Sequence, residues 1–192
     1  GDIKYQDTNG DGQITDADKR RLGKSGKPRG QFGINLNMSY KGFYLSALFQ
    51  GSTKFNMYVA GSLGMQTGQT YGMPVAYDYQ TDFWTPDNRD AQYPRLMANT
   101  ALNQNNNYAS SDFWLINGAY LRMKDFQFGY DFKYSLLKNV SWLTRCKMGI
   151  SGQNIFTISQ ATKYGMDPEP SDTNYYGYPV ERTIALTLNL GF

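Results

Sequence analysis

Histidine is absent from this 192-residue chain, and cysteine occurs once, at Cys146. Without histidine there is no Ser-His-Asp or Cys-His catalysis and no HExxH zinc site. A single cysteine closes no intrachain disulfide and builds no cysteine zinc site, so Cys146 reads as a small strand residue. The stretch GISGQ at 149 to 153 approaches a nucleophile elbow but lacks the last glycine of GxSxG. Carboxylate pairs such as Asp167 and Glu169 occur, yet nothing in the sequence sets two of them around a glycosidic bond. The chain therefore reads as a non-enzyme. Strong charge is lacking too: 19 Lys and Arg stand against 16 Asp and Glu, a formal +3. An excess so small and scattered gives no reason to expect nucleic acid as a partner. No apolar run approaches the roughly 18 residues of a membrane-spanning helix, so a helical membrane protein is not expected. The chain opens at GDIKYQD without an initiator Met. Any export signal is therefore expected to have been removed or to lie on an upstream part.

What is present is aromatic and glycine-rich: 16 Tyr, 11 Phe and 20 Gly, a composition that suits strands, turns and bulges. The dominant period is two. From Phe32 the chain reads FGINLNMSY, with Phe32, Ile34, Leu36, Met38 and Tyr40 on one face and Gly33, Asn35, Asn37 and Ser39 on the other. KGFYLSALFQG follows after a short turn at Lys41-Gly42, which predicts a hairpin. A third strand starts at Tyr120 and aligns Phe126, Phe128, Tyr130 and Phe132. Its first half holds Leu121 and Met123 in the opposite phase, which predicts a bulge near Lys124 and Asp125. A fourth covers RCKMGISGQNIFTI and a fifth RTIALTLNLGF. In the fifth, Ile184, Leu186, Leu188, Leu190 and Phe192 face one way.

Short and long connections alternate along these strands. The long ones are about 60 residues, over 61–118, and about 20 residues, over 162–180; loops of that length are commonly functional or disordered. Short turns alternating with long loops, and aromatics gathered at the short-turn end (Tyr40, Phe43, Tyr44, Phe132, Tyr134, Trp142), fit a transmembrane barrel with interfacial girdles. A soluble β-sandwich also alternates. The small polar residues opposite the apolar face and the terminal Phe192 favour the barrel.

The sharpest local motif is DTNGDGQITDAD, positions 7 to 18. It sets Asp7, Asn9 and Asp11 at positions one, three and five of a calcium loop. Gly12 supplies the turn, Gln13 a backbone carbonyl, and Asp18 the twelfth position. Asp in place of Glu at the end is the dockerin-type pattern. Ile14 is expected to pin the loop to its surroundings. The competing reading is a metal-free turn, since Asp, Asn and Gly are also the usual turn formers.

Several blocks in order carry a family resemblance. YPRL (93 to 96), SSDFWLINGAYLRMKDFQFGY (110 to 130), SGQNIFTISQATKYGMDPE (151 to 169), the opening GDIKYQDTNGDGQITDAD, WTP (84 to 86) and the closing strand resemble the carboxy-terminal part of SusC/RagA-type TonB-dependent transporters. The resemblance covers essentially the whole chain. It implies an all-β fold: an antiparallel transmembrane β-barrel segment, about the last five strands of a barrel of about 22, with long extracellular loops. Implied partners are the remaining amino-terminal barrel and plug portion, TonB acting through that plug, a SusD-like surface lipoprotein and outer-membrane lipid. The implied location is the bacterial outer membrane, with Phe192 periplasmic as an assembly signal. Five strands cannot close a barrel, so the chain is expected to be complete only beside the missing strands.

On this reading residues 1–29 are an extracellular calcium-motif loop and 30–192 the barrel strands with their external loops. Calcium would be structural. Ile184, Leu186, Leu188 and Leu190 would face lipid. In the longest loop Tyr71, Tyr77, Tyr79, Phe83, Trp84 and Tyr93 are candidates to touch substrate or lid, with packing of the loop on itself as the competing reading. The NQNNNY tract (103 to 108) reads as exposed loop. The expected function is oligosaccharide import. Oligopeptide import is the alternative within the family, and a soluble dockerin-like adhesion or assembly module the alternative outside it.

Overall fold

The structure, a computed structural model, describes residues 1–24, 26–59, 81–95, 106–169 and 180–192. Five long strands follow the period-two pattern: β1 (Gly30–Tyr40), β2 (Phe43–Thr53), β5 (Tyr120–Asp131), β6 (Arg145–Gln153) and β8 (Thr183–Gly191). Three short ones, β3 (Asn56–Tyr58), β4 (Leu115–Asn117) and β7 (Thr157–Ser159), complete the set. The long strands form one antiparallel sheet in the order β1-β2-β5-β6-β8, with β7 added along the upper half of β5. Among the described residues the sheet is open, with β1 and β8 as its edges.

The β1–β2 hairpin is tight because Tyr40 pairs directly with Phe43. Lys41 and Gly42 both take positive φ, 47° and 92°, the combination whose twist matches paired strands. Registers then carry the alternation across the whole sheet. Met38, Leu45, Phe128, Ile150 and Leu186 lie in one row, and Tyr40, Phe43, Tyr130, Met148 and Leu188 in the next. The opposite face presents Asn37, Ser46, Gln127, Ser151 and Ala185. One face is therefore apolar over five strands and the other largely polar.

The expected bulge is found. Phe49 pairs with Met123 but Leu48 with Asp125, so Lys124 is the extra residue in β5. It returns Leu121 and Met123 to the face that carries Phe126 and Phe128. The fourth segment differs from the continuous strand expected: β6 stops at Gln153, Asn154 adopts φ 51°, and pairing resumes at β7. There Asn154 and Ile155 donate to the carbonyls of Lys124 and Met123, so the break in this strand sits against the bulge in its neighbour.

The two ends of the sheet differ. At the short-turn end Trp142 stacks on Phe192 (centroids 5.9 Å apart, planes within 7°) and Phe43 meets Tyr130 edge-on at 4.7 Å. Glycines make room for a further ring on the polar face. A Cβ at Gly129 would come within 2.4 Å of the Tyr44 hydroxyl and one at Gly149 within 2.7 Å. Tyr44 thus lies across two neighbouring strands, with Lys147 Nζ 5.2 Å above its ring. At the long-loop end β3 and β4 pair into a small second sheet. Phe55, Met57, Val59, Tyr93, Trp114, Ile116, Tyr120, Ala161, Tyr164 and Met166 bury a separate core there. Burial of each large side chain contributes about 1.5–3 kcal/mol, enough to order loops that carry little secondary structure.

Candidate functional site

Three constellations at the long-loop end carry chemistry. The first is the aspartate loop. Asp7 Oδ1 accepts from the Gly10 amide at 2.6 Å and Oδ2 from the Gly12 amide at 2.8 Å. Asp11 Oδ1 accepts from the Gln13 amide at 2.8 Å, and Asn9 Oδ1 from the Asp11 amide at 2.9 Å. Asp18 closes the loop: Oδ1 accepts from the Thr8 amide and Oδ2 from the Thr15 amide, each at 2.8 Å. Those amide bonds hold the Asp18 carboxyl below its ordinary value. Asp16 is lowered as well, by its bond to Lys19. Ile14 does not pin the loop. It is 53% exposed, and the tether is instead the bonding of Thr8 to Asp18, which joins the two ends of the loop. The donors are all oxygens, the set that a hard cation takes. Among the described residues no three His, Cys, Asp or Glu side chains gather as a metal-holding group.

The amino-terminal strip before this loop is fastened to the long-loop core. Arg95 donates to both carboxylate oxygens of Asp2, at 2.7 and 2.8 Å, which raises the guanidinium above its usual value. The Ile3 amide donates to Asn107 Oδ1 at 2.8 Å, and the Trp114 indole donates to the Asn107 carbonyl. Asn107 is fully buried, a correction to the reading of its tract as exposed loop. A buried asparagine is stable here because its amide oxygen accepts from the Ile3 backbone and its nitrogen donates to the Asp2 carboxylate at 2.9 Å, partners that sequence distance hides.

The second constellation is a charge network on the polar face beside the bulge. Arg122, 3% exposed, donates to Asp167 at 2.7 Å and also to Glu169. Lys124 Nζ meets both Glu169 oxygens, at 2.9 and 2.8 Å, and Arg122 Nε donates to Thr157 Oγ1 at 2.8 Å. The bulge brings Lys124 alongside Arg122, and the two cations and two carboxylates balance. A buried guanidinium requires such complete pairing.

The third is a cavity of about 450 Å³ at the rim of the polar face, within the usual size of ligand sites. Gln31, Gln50 and Ser52 form its sheet wall, Tyr58 and Tyr120 its aromatic side, and Lys24 and Glu169 its charged edges. Ser52 is 2% exposed, and its Oγ has no hydrogen-bond partner among the described residues. Sequence reading missed this cavity. Gln31, Gln50 and Ser52 looked like ordinary polar-face positions, and their convergence with Lys24 and Glu169 depends on tertiary structure.

The residues singled out in the sequence fall in different places. Tyr71, Tyr77 and Tyr79 lie outside the described residues. Tyr93 is buried and stacks on Trp114 at 6.4 Å, and Phe83 packs against the same core. Trp84 lies against Gly1. Ile184, Leu186, Leu188 and Leu190 share the exposed apolar face, Leu186 at 86% exposure.

No family model matches the chain. It is 28% identical to TonB-dependent receptor P3 of Formosa agariphila over 203 residues, 98% of this chain and 19% of that relative. TonB-dependent receptor P26 of the same organism is 28% identical over 205 residues, 100% of this chain and 20% of the relative. Among solved structures the fold is similar to that of the RagAB peptide transporter, with TM-score 0.65 at 21% identity, over 94% of this chain and 19% of that one. Over essentially its whole length the chain is similar to TonB-dependent receptors, and its fold to that of the RagAB transporter. The chain spans about a fifth of the length of the relatives it matches. Their likeness gives its two-faced sheet a context, since a strand wall with one apolar and one polar side is the building plan of a membrane barrel.

Proposed function

We propose that this chain forms part of the wall of an outer-membrane importer that takes up oligosaccharides under TonB control, with a SusD-like surface lipoprotein as its lid. The carrying observation is the row-by-row register that keeps five strands apolar on one face and polar on the other. The apolar face meets lipid, through Ile184, Leu186, Leu188 and Leu190, and the polar face meets the lumen. Strands from the rest of the transporter pair with the free edges of β1 and β8, and the plug that contacts TonB also belongs to that remainder. The long loops are extracellular, and Phe192 marks the periplasmic end.

Calcium belongs to the same reading. Asp7, Asn9, Asp11, the Gln13 carbonyl and Asp18 would hold the ion, which would stiffen the loop where a core is lacking. The oxygen-only donors at the expected spacing support this, and a carboxylate oxygen that accepts one amide proton keeps a second lone pair.

Uptake by cells with and without the full transporter tests the function, using labelled oligosaccharides and oligopeptides side by side. Loss of oligosaccharide uptake is the expected result. Oligopeptide import is the second reading, favoured by the fold likeness to a peptide transporter over 94% of the chain; loss confined to peptides would select it. A soluble dockerin-like module is disfavoured by receptor relatives that match the chain from end to end.

A further inference from the structure

We propose that the saccharide taken at the rim cavity is acidic, with its carboxylates drawn to a cationic strap that crosses the cavity mouth. This rests on the oligosaccharide reading above and narrows it. Between positions 19 and 29 the sequence holds Lys19, Arg20, Arg21, Lys24, Lys27 and Arg29 and no acidic residue. Lys24 and the residues from Gly26 to Arg29 border the polar face. Lys24, Gly26 and Pro28 line the cavity together with Gln31, Gln50 and Ser52 of the sheet. Arg29 is fixed at that place: its amide donates to the Thr53 carbonyl at 3.2 Å, next to Ser52, and its guanidinium turns back to the Gly23 carbonyl at 3.5 Å, next to Lys24.

The rest of the lining suits a sugar. Gln31 offers a paired donor and acceptor, and Gln50 adds its amide while its nitrogen also reaches Glu169 Oε1 at 3.5 Å. The buried Ser52 hydroxyl has no hydrogen-bond partner among the described residues, and the Tyr58 ring lines the wall. Glu169 is the acidic group in the lining, and both of its oxygens are occupied by Lys124 and Arg122. Its repulsion of an anion is therefore cancelled locally, and Lys24 with Arg29 remains as the net charge at the mouth. Anion attraction at an open rim is screened by salt, so the preference is ionic-strength dependent.

The test uses the full-length transporter purified from outer membranes in mild detergent. Binding of oligogalacturonate, of a neutral malto-oligosaccharide of equal length, and of an oligopeptide is measured by calorimetry. At low salt the acidic sugar is expected to bind about 10-fold more tightly than the neutral one, a gap that shrinks at physiological salt. Lys24→Gln combined with Arg29→Gln should erase the gap between the two sugars. Unchanged heat-dependent gel mobility verifies that the variant is folded. Equal binding of both sugars to the unmodified transporter overturns the acidic assignment and leaves oligosaccharide import standing. An acidic preference that survives in the double variant overturns the role of this cavity. Binding of the peptide alone overturns both readings.

Discussion

Arg122 Nη2 stands 2.7 Å from Asp167 Oδ1 and 2.8 Å from Asp167 Oδ2, so one guanidinium nitrogen is shared by both oxygens of the carboxylate. The pair joins the upper half of β5 to the segment that follows β7. With Glu169 and Lys124 it fastens the long-loop end to the wall. Breaking a fully buried pair costs about 3–5 kcal/mol; here Asp167 and Glu169 are 21% and 28% exposed and Glu169 keeps Lys124, so losing Arg122 costs less than that. Arg122→Ala should therefore lower the temperature at which the full transporter loses its folded gel mobility. Asp167→Asn, which keeps size and one acceptor, should lower it less. Equal mobility of Arg122→Ala and the unmodified protein at every temperature would remove the clamp from the account.

Asp18 gives a pH prediction. Its carboxyl is held below the ordinary value of 3.8, first by the Thr15 amide and then by the Thr8 amide. A depressed folded value means that this stabilisation is fully present above the unfolded value and lost as pH falls through the folded one. Hydrogen exchange of the segment over residues 5–22, corrected for the intrinsic pH dependence, should show protection at pH 6 that fades below 3.8. Asp18→Asn should show little protection at either pH.

Calcium removal is a separate measurement. If the loop holds the ion, chelation should raise the exchange rate of the same segment, and excess calcium should reverse the effect. Asp7→Asn with Asp11→Asn should abolish the response. A response to chelator that persists in that variant places the ion elsewhere.

Leu186 tests the lipid face. It lies midway along β8 in the row of Met38, Leu45, Phe128 and Ile150. Leu186→Arg should cost about 2–4 kcal/mol if this row sits at the bilayer midplane. Thr187→Arg, one residue on and on the polar face, should assemble nearly normally. The contrast in outer-membrane yield between the two variants is the measurement; equal yields would reject this choice of face.

The five long strands were legible because a strand with one apolar and one polar face writes that division into every second residue. The bulge was legible for the same reason: Leu121 and Met123 could share a face with Phe126 only if one residue dropped out of register. Strands of three residues write no period, so β3 and β4 were hidden inside the longest loop. The core that they help to build was hidden as well. Arg122 and Glu169 are 47 residues apart, and neither belongs to a local motif, so their meeting could not be read. Asn107 sat in a tract whose composition signals exposure, and its burial depends on the Ile3 amide far away in the chain. The aspartate loop was legible as a pattern because its bonds are local. Ile14 misled because an apolar residue in a polar loop suggests anchoring, whereas here hydrogen bonds do that work.

Lys124 has a consequence for how this wall can change length. Side chains in a strand have two positions, so every insertion counts as odd or even. Above the bulge the strand is already offset by one. A second single insertion there would exchange the two faces of the upper half, turning Leu121 and Met123 to the polar side and Arg122 to the apolar side, whereas loss of Lys124 would only straighten the strand and leave both faces as they are. Two residues added together would leave every side chain on its own side. The rim of such a wall is therefore free to grow in pairs and resists growth by ones, and chains built on this plan should differ there by even numbers unless a compensating bulge goes with the change.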